Sequence, residues 1–176
     1  MKSLTTARDA RRVRSDIVLA LTALAVLALG VLVYVLDRPV GTAYFLPPSL
    51  SFAKGQHSWF GSWGGRLPEF AHVYAFILLT VAVSPWPKRL LLVCVLWWVL
   101  ATMAEIGQHP AVAPHVVAFV PHWFHRVPVL DNTASYFVHG TFDPWDIVVI
   151  VLGAVSAYVT CYWFQHRAAR AVSVPD

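Results

Sequence analysis

Three short polar motifs interrupt an otherwise apolar chain: Glu69-x-x-His72, Glu105-x-x-Gln108 and Asp143-Pro144-Trp145-Asp146. Residues three apart in a helix share a face, so each of the first two motifs presents its acid and its nitrogen group on one side. An acid beside an imidazole suits proton transfer or metal binding, and an acid beside an amide suits hydrogen-bonded recognition of a polar ligand. The Glu-x-x-His pattern also occurs in di-metal carboxylate bundles, but those supply it twice with further glutamates, and this chain has it once. The stretch after Gln108 adds His109, His115, His122, His125 and His139. His122 and His125 are close enough to share zinc or copper. Their spacing matches no standard ligand set and no cysteine lies near, so neither a metal nor any other cofactor is expected.

Local structure alone accounts for some of these acids. Asp143-Pro144-Trp145-Asp146 reads as an N-cap, a proline at the first helical position and an acid in the first turn, all favoured at a helix start. Glu69 follows Pro68 in the same way, and His72 could simply bond to a neighbouring helix. Glu105 is different: it falls near the C-terminal end of its helix, where the macrodipole disfavours an acid. It therefore needs partners from elsewhere, and the expectation is that His72 and the polar start of the last span supply them, with Glu105 and His72 energetically coupled.

The elements that must position these residues are membrane-spanning helices. The 176 residues are 58% hydrophobic and 12% charged, about half the charge of an ordinary soluble domain. The apolar segments are continuous rather than alternating, which excludes a β-barrel pattern and gives an all-α class. Four spans are predicted at about 17–36, 67–84, 89–107 and 145–164, preceded by a basic segment at 1–16 and followed by a tail at 165–176. The second is the weakest, since Pro68, Glu69 and His72 fill its opening turns, and it needs protein neighbours there. Gly41-x-Ala43 has the small residues of a signal-processing site, but the preceding apolar run exceeds a typical signal core, so a retained span is expected.

Lys2, Arg8, Arg11, Arg12, Arg14, Lys88, Arg89, Arg167 and Arg170 fall on one side of these spans; Arg38, Lys54, Arg66 and Arg126 fall on the other. Nine against four places both termini in the cytoplasm and two long loops, about Asp37 to Arg66 and about Gln108 to Asp143, outside. Trp59, Trp63, Trp123 and Trp145 then form an outer aromatic belt, with Trp86 and Trp163 at the inner boundary. The segment from Val116 to Arg126 is too short to span and is expected in the outer interface. Counting from the cytoplasmic anchors at helical rise puts His72, Glu105 and Asp146 about 24, 26 and 32 Å away, so all three motifs share the outer level. Cys94 and Cys161, without CxxC spacing, read as free thiols packed in apolar runs. No phosphate loop, nucleophile elbow or nucleic-acid module is present, and the basic residues at span ends give no reason to expect nucleic acid.

The motifs and their order resemble the VanZ-like family of small multi-spanning bacterial membrane proteins. The resemblance rests on Glu69-Phe70-Ala71-His72-Val73-Tyr74-Ala75-Phe76 opening a helix, on Glu105-Ile106-Gly107-Gln108 ending one, and on Thr141-Phe142-Asp143-Pro144-Trp145-Asp146 followed by Gly153-Ala154. It covers about Leu67 to Tyr158 and carries over to His72, Glu105, Gln108, Asp146 and Gly153. The chain departs where the family often has an arginine before the final helix (Thr141 here) and an asparagine four residues after its aspartate (Ile150 here), and its second outer loop is much longer. The resemblance implies a bacterial inner-membrane protein acting at the extracytoplasmic face on envelope lipids, a glycopeptide or a partner membrane protein, in a non-enzymatic or accessory way. Two further readings stay open: an enzyme using Glu105, His72 and Asp146 on a lipid-linked substrate, and a small structural subunit of a larger membrane complex. The residues proposed to form a polar site are Glu69, His72, Glu105, Gln108, Asp143 and Asp146.

Overall fold

A computed structural model describes residues 2–37, 59–84, 89–128 and 130–170. Every regular element among them is helical. Four helices are long: α1 (Lys2–Asp37), α2 (Leu67–Val83), α3 (Leu90–Gly107) and α6 (Pro144–Arg170). Between α3 and α6 lie the short helices α4 (Ala113–Ala118) and α5 (Thr133–His139), with 3-10 turns at His122–Arg126 and Leu130–Asn132; a further turn, Gly61–Trp63, precedes α2. The expectations that rest on Arg38, Gly41, Ala43, Lys54, Trp86 and Lys88 lie outside the described residues.

Among the described residues three helices are long and apolar enough to cross a membrane: Arg12–Asp37, Leu90–Gly107 and Pro144–Arg167. α1 runs on unbroken through the basic N-terminal segment, and α6 continues past residue 164 into the tail, because nothing in either flank breaks a helix. Both helices are thus longer than the apolar runs within them. α2, at 17 residues, is apolar but shorter.

α2 holds the centre, packing on α1, α6 and α3, while α6 also packs on α3. Its Val73, Ala75, Ile77 and Leu78 join Leu19 and Ala23 of α1, Cys94 of α3, and Ile150, Ala154, Ala157 and Cys161 of α6 in one buried cluster. Small residues allow the close contacts. A Cβ on Gly153 would lie 3.0 Å from the Phe70 carbonyl oxygen, so α6 meets the backbone of α2 there. Cys94 and Cys161 are both free and buried. The other faces of α1, α3 and α6 expose Leu21, Leu24, Leu96, Leu100, Val155 and Val159, an outward apolar surface compatible with a multi-pass membrane protein.

Contacts between helix ends give the directions. The Asp37 carboxylate, ending α1, accepts the backbone N–H groups of Trp59 at 2.7 Å and Phe60 at 3.0 Å, just before α2. Arg66, at the start of α2, reaches Asp143 at the start of α6, and Glu105, near the end of α3, reaches Asp143 as well. The C-terminal ends of α1 and α3 and the N-terminal ends of α2 and α6 therefore share one end of the bundle.

Two side-chain bonds pin the helices within the apolar layer. Tyr74 Oη and Thr160 Oγ1 lie 3.1 Å apart between α2 and α6. Trp97 Nε1 of α3 donates to Thr80 Oγ1 of α2 at 2.9 Å, and that hydroxyl donates in turn to the Phe76 carbonyl at 2.7 Å. Thr80→Val keeps the volume but leaves the indole N–H without its acceptor, so thermal unfolding in detergent should show a loss of about 1–2 kcal/mol. Thr80→Ser should recover most of it.

Candidate functional site

Glu105 is the one charged side chain among the described residues that is fully buried, with 4% of its surface exposed. The end of its own helix offers it carbonyl oxygens, which repel a carboxylate. The start of α6 resolves this: the backbone N–H of Asp143 donates to Glu105 Oε1 at 2.9 Å. The acid thus sits at the positive end of an antiparallel helix, where an anion is favoured. Gln108 Nε2 points at the other oxygen, Oε2, from 3.5 Å.

Asp143 is a helix cap and an ion-pair partner at once. Its Oδ1 accepts the N–H of Trp145 at 2.9 Å, and its carbonyl accepts the N–H of Asp146, as an N-cap followed by Pro144 requires. Its Oδ2 is bound by an Arg66 guanidinium nitrogen at 3.1 Å. Both partners are about one-third exposed, so this pair orders the helix starts more than it stabilises them. Asp143 and Asp146 both lie close enough to Glu105 for their charges to act on it.

α5 covers this cluster. Gln108 Nε2 donates to the Tyr136 phenol oxygen at 2.8 Å, and the Phe137 ring lies so close to Gly107 that a Cβ there would come within 2.6 Å of it. The side-chain amide oxygen of Gln108, Oε1, occupies the space a side chain on Gly140 would fill. Burial first, and then the negative charge of Glu105 and Glu69, push the Tyr136 phenol above the ordinary tyrosine range.

Of the six residues proposed from sequence, Glu105, Gln108 and Asp143 are joined by hydrogen bonds, Asp146 stands within electrostatic reach of Glu105, and Glu69 within that of Tyr136. His72 does not join them. Its ring packs between Tyr34 at 6.5 Å and Phe76 at 5.9 Å, and no hydrogen bond or ion pair links it to Glu105. Of the two partners expected for Glu105, His72 makes no contact with it, whereas the start of the last long helix supplies the Asp143 amide, and Gln108 adds to it. His72 lies on the side of α2 that faces α1, whereas Glu105 meets α6. The loop histidines are also dispersed: His109 Nδ1 accepts the N–H of Ala111 within its own turn, and His139 contacts Ser135 one turn back. Among the described residues no group of three or more His, Cys, Asp or Glu is placed to hold a metal ion.

Sequence reasoning treated Arg66 only as an outer basic residue and passed over Tyr136. Arg66 had a signal, being a cation directly before a helix start at the level of Asp143. Tyr136 had none, because only the fold of the loop brings it to Gln108. No family model, curated protein or solved structure matches the chain.

Double-mutant cycles in a detergent stability assay follow from these contacts. Glu105→Ala with Gln108→Ala should be non-additive, since either change alone removes the same bond. Glu105→Ala with His72→Phe should add to within about 0.5 kcal/mol. A second measurement concerns alkaline pH. A phenol whose folded pKa lies above its unfolded value of about 10 contributes stability that is fully present below that value and is lost as pH rises past it. Tyr136→Phe should be weaker than wild type at neutral pH, for want of the Gln108 bond, yet lose less stability above about pH 10.

Proposed function

We propose that this chain is a four-span bacterial inner-membrane protein of VanZ-like type that acts at the extracytoplasmic face in envelope lipid or glycopeptide-related processes, by binding rather than by chemistry. The fourth crossing is supported by direction. α1 and α3 both end at the same end of the bundle, so α2 runs back between them, which supports a crossing by α2 as well. At a rise of 1.5 Å per residue it covers about 26 Å, close to the hydrocarbon thickness of about 30 Å. Its neighbours shield its polar first turns. The excess of basic residues at the opposite end supports placing the polar cluster outside and both termini in the cytoplasm.

The observation that carries the reading is the Glu105 to Asp143 contact, because it joins two of the three motifs that carry the family resemblance. Arg66 adds to this. The guanidinium that the family often places before its final helix, absent at Thr141, is provided here to the aspartate next to that helix by a different element. Both Glu105 oxygens face N–H donors within the protein, which suits a carboxylate that shapes a binding surface better than a general base open to substrate. On this reading membrane lipids, an envelope precursor or a partner membrane protein are the ligands.

Topology is tested with a membrane-impermeant thiol reagent on cells, in a background lacking Cys94 and Cys161. Ser62→Cys and Asp131→Cys should be labelled and Arg14→Cys and Arg167→Cys should not; labelling of the last two from outside would reverse the orientation. Function is tested in a strain lacking the protein. Glycopeptide sensitivity should change on deletion and return with wild type or His72→Phe. Glu105→Ala at equal membrane abundance should fail to restore it. Turnover of a lipid-linked substrate by the purified protein, lost in Glu105→Gln, would establish the enzyme reading instead.

A further inference from the structure

The connection from α3 to α5 carries a surface that the polar cluster does not use. From Ile106 to Leu130 the sequence contains no acid. Within this stretch Phe119 is 86% exposed and Trp123 57% exposed, the first just past the end of α4 and the second in the turn His122–Arg126. His115, His122, His125 and Arg126 are exposed beside them. The segment faces inward elsewhere: Ala113 is buried, α4 packs on α5, and the turn packs on Leu130–Asn132. The Trp123 ring is braced edge-on by Phe124 at 4.5 Å.

Position decides what meets this surface. α4 starts only a tight turn after the spanning helix α3 ends, held by bonds from the Val112 and Ala113 N–H groups to the His109 carbonyl at 2.7 and 2.9 Å. Trp59, Trp63 and Trp145, all exposed, stand at the helix ends of the same side of the bundle. Indole rings gather where hydrocarbon meets headgroups, and a short element with exposed rings beside basic groups lies in that plane.

We propose that α4 and the His122–Arg126 turn form a membrane-interface anchor. Phe119 and Trp123 enter the boundary between headgroups and acyl chains, and Arg126 meets lipid phosphate. The occupant of this surface is the phospholipid leaflet at this end of the bundle. A leaflet supplies apolar depth and phosphate side by side, the complement of exposed rings flanked by a guanidinium. The inference rests on the membrane-spanning reading above, and its consequence is that the cover over Glu105, α5, is tied to the lipid surface through α4.

The test uses the full chain in phosphatidylcholine–phosphatidylglycerol nanodiscs, lacking Cys94 and Cys161, with a nitroxide placed singly at Phe119→Cys, Ala118→Cys, Val151→Cys or Asp131→Cys. Accessibility to oxygen, which concentrates in lipid, is compared with accessibility to a water-soluble nickel chelate. Position 151 should be the most lipid-like and 131 water-like, with 118 and 119 on the lipid side between them. Ala118→Cys leaves both rings in place, so it still reports if the loss of Phe119 disturbs the anchor. Water-like values at 118 and 119 would overturn the anchor, and so would low accessibility to both reagents, which would mean that protein covers it. A water-like value at 151 would instead overturn the spanning reading itself.

Discussion

The rest of the polar end depends on one hydrogen bond, from the backbone N–H of Asp143 to the carboxylate of Glu105. A buried acid without a partner costs several kcal/mol or gives up its charge. At the end of α3 the nearest backbone groups are carbonyls, which make the problem worse. Only an element entering from the opposite direction can offer amides at that depth, and α6 does so. Once Asp143 is in place, its side chain caps α6 and receives Arg66 from the start of α2, so a single residue gathers three long helices. Gln108 then connects the cluster to α5 above it.

The apolar part of the bundle is held differently. α2 is the shortest of the four long helices and the most enclosed, with six of its residues in tight burial between its neighbours: Pro68, Ala71, Val73, Ala75, Ile77 and Leu78. Within a lipid environment the hydrophobic effect gives little preference for helix over lipid tail, so close backbone approach and a few side-chain hydrogen bonds must decide the packing. Gly153 against Phe70 provides the approach, and Tyr74 with Thr160 and Trp97 with Thr80 provide the bonds. These sit in the layer below the polar cluster, which leaves the cluster free to be organised by charge.

How much of this could be read in advance divides along the same line. Long uninterrupted apolar runs mark α1, α3 and α6 because a continuous signal of that length has few other structural meanings. The N-cap role of Asp143 followed from Asp-Pro-x-Asp, and the need of Glu105 for a foreign partner followed from its position in the last turn. The polar start of the last span was expected to supply that partner together with His72, and only the first of the two does so. His72 shares a level with Glu105, but level along a helix says nothing about the direction in which a side chain points, and helical rotation turns His72 toward Tyr34 of α1. A backbone amide leaves no trace in a sequence, so which group at the start of the last span would hold Glu105 was not legible. Tyr136 was hidden for a further reason: the path of a loop of more than 30 residues is set by packing, not by local periodicity.

Parity explains why the polar motifs fall where they do. In an alternating bundle every second helix begins at a given end and every other one finishes there. An acid in the last turn of one helix is therefore always level with the first turns of its antiparallel neighbours, the places where amide donors and capping residues collect. Glu105 ends a helix; Glu69, Asp143 and Asp146 begin theirs, and Arg66 stands just before one. The common depth of these groups is a consequence of helix direction, and by itself it does not imply a shared site. What raises it above an accident of helix ends is the direct bonding of Glu105, Asp143, Arg66, Gln108 and Tyr136 into one connected set, in which each of Gln108 and Asp143 makes two or more side-chain contacts. His72, at the same depth and outside that set, shows what level alone would have produced.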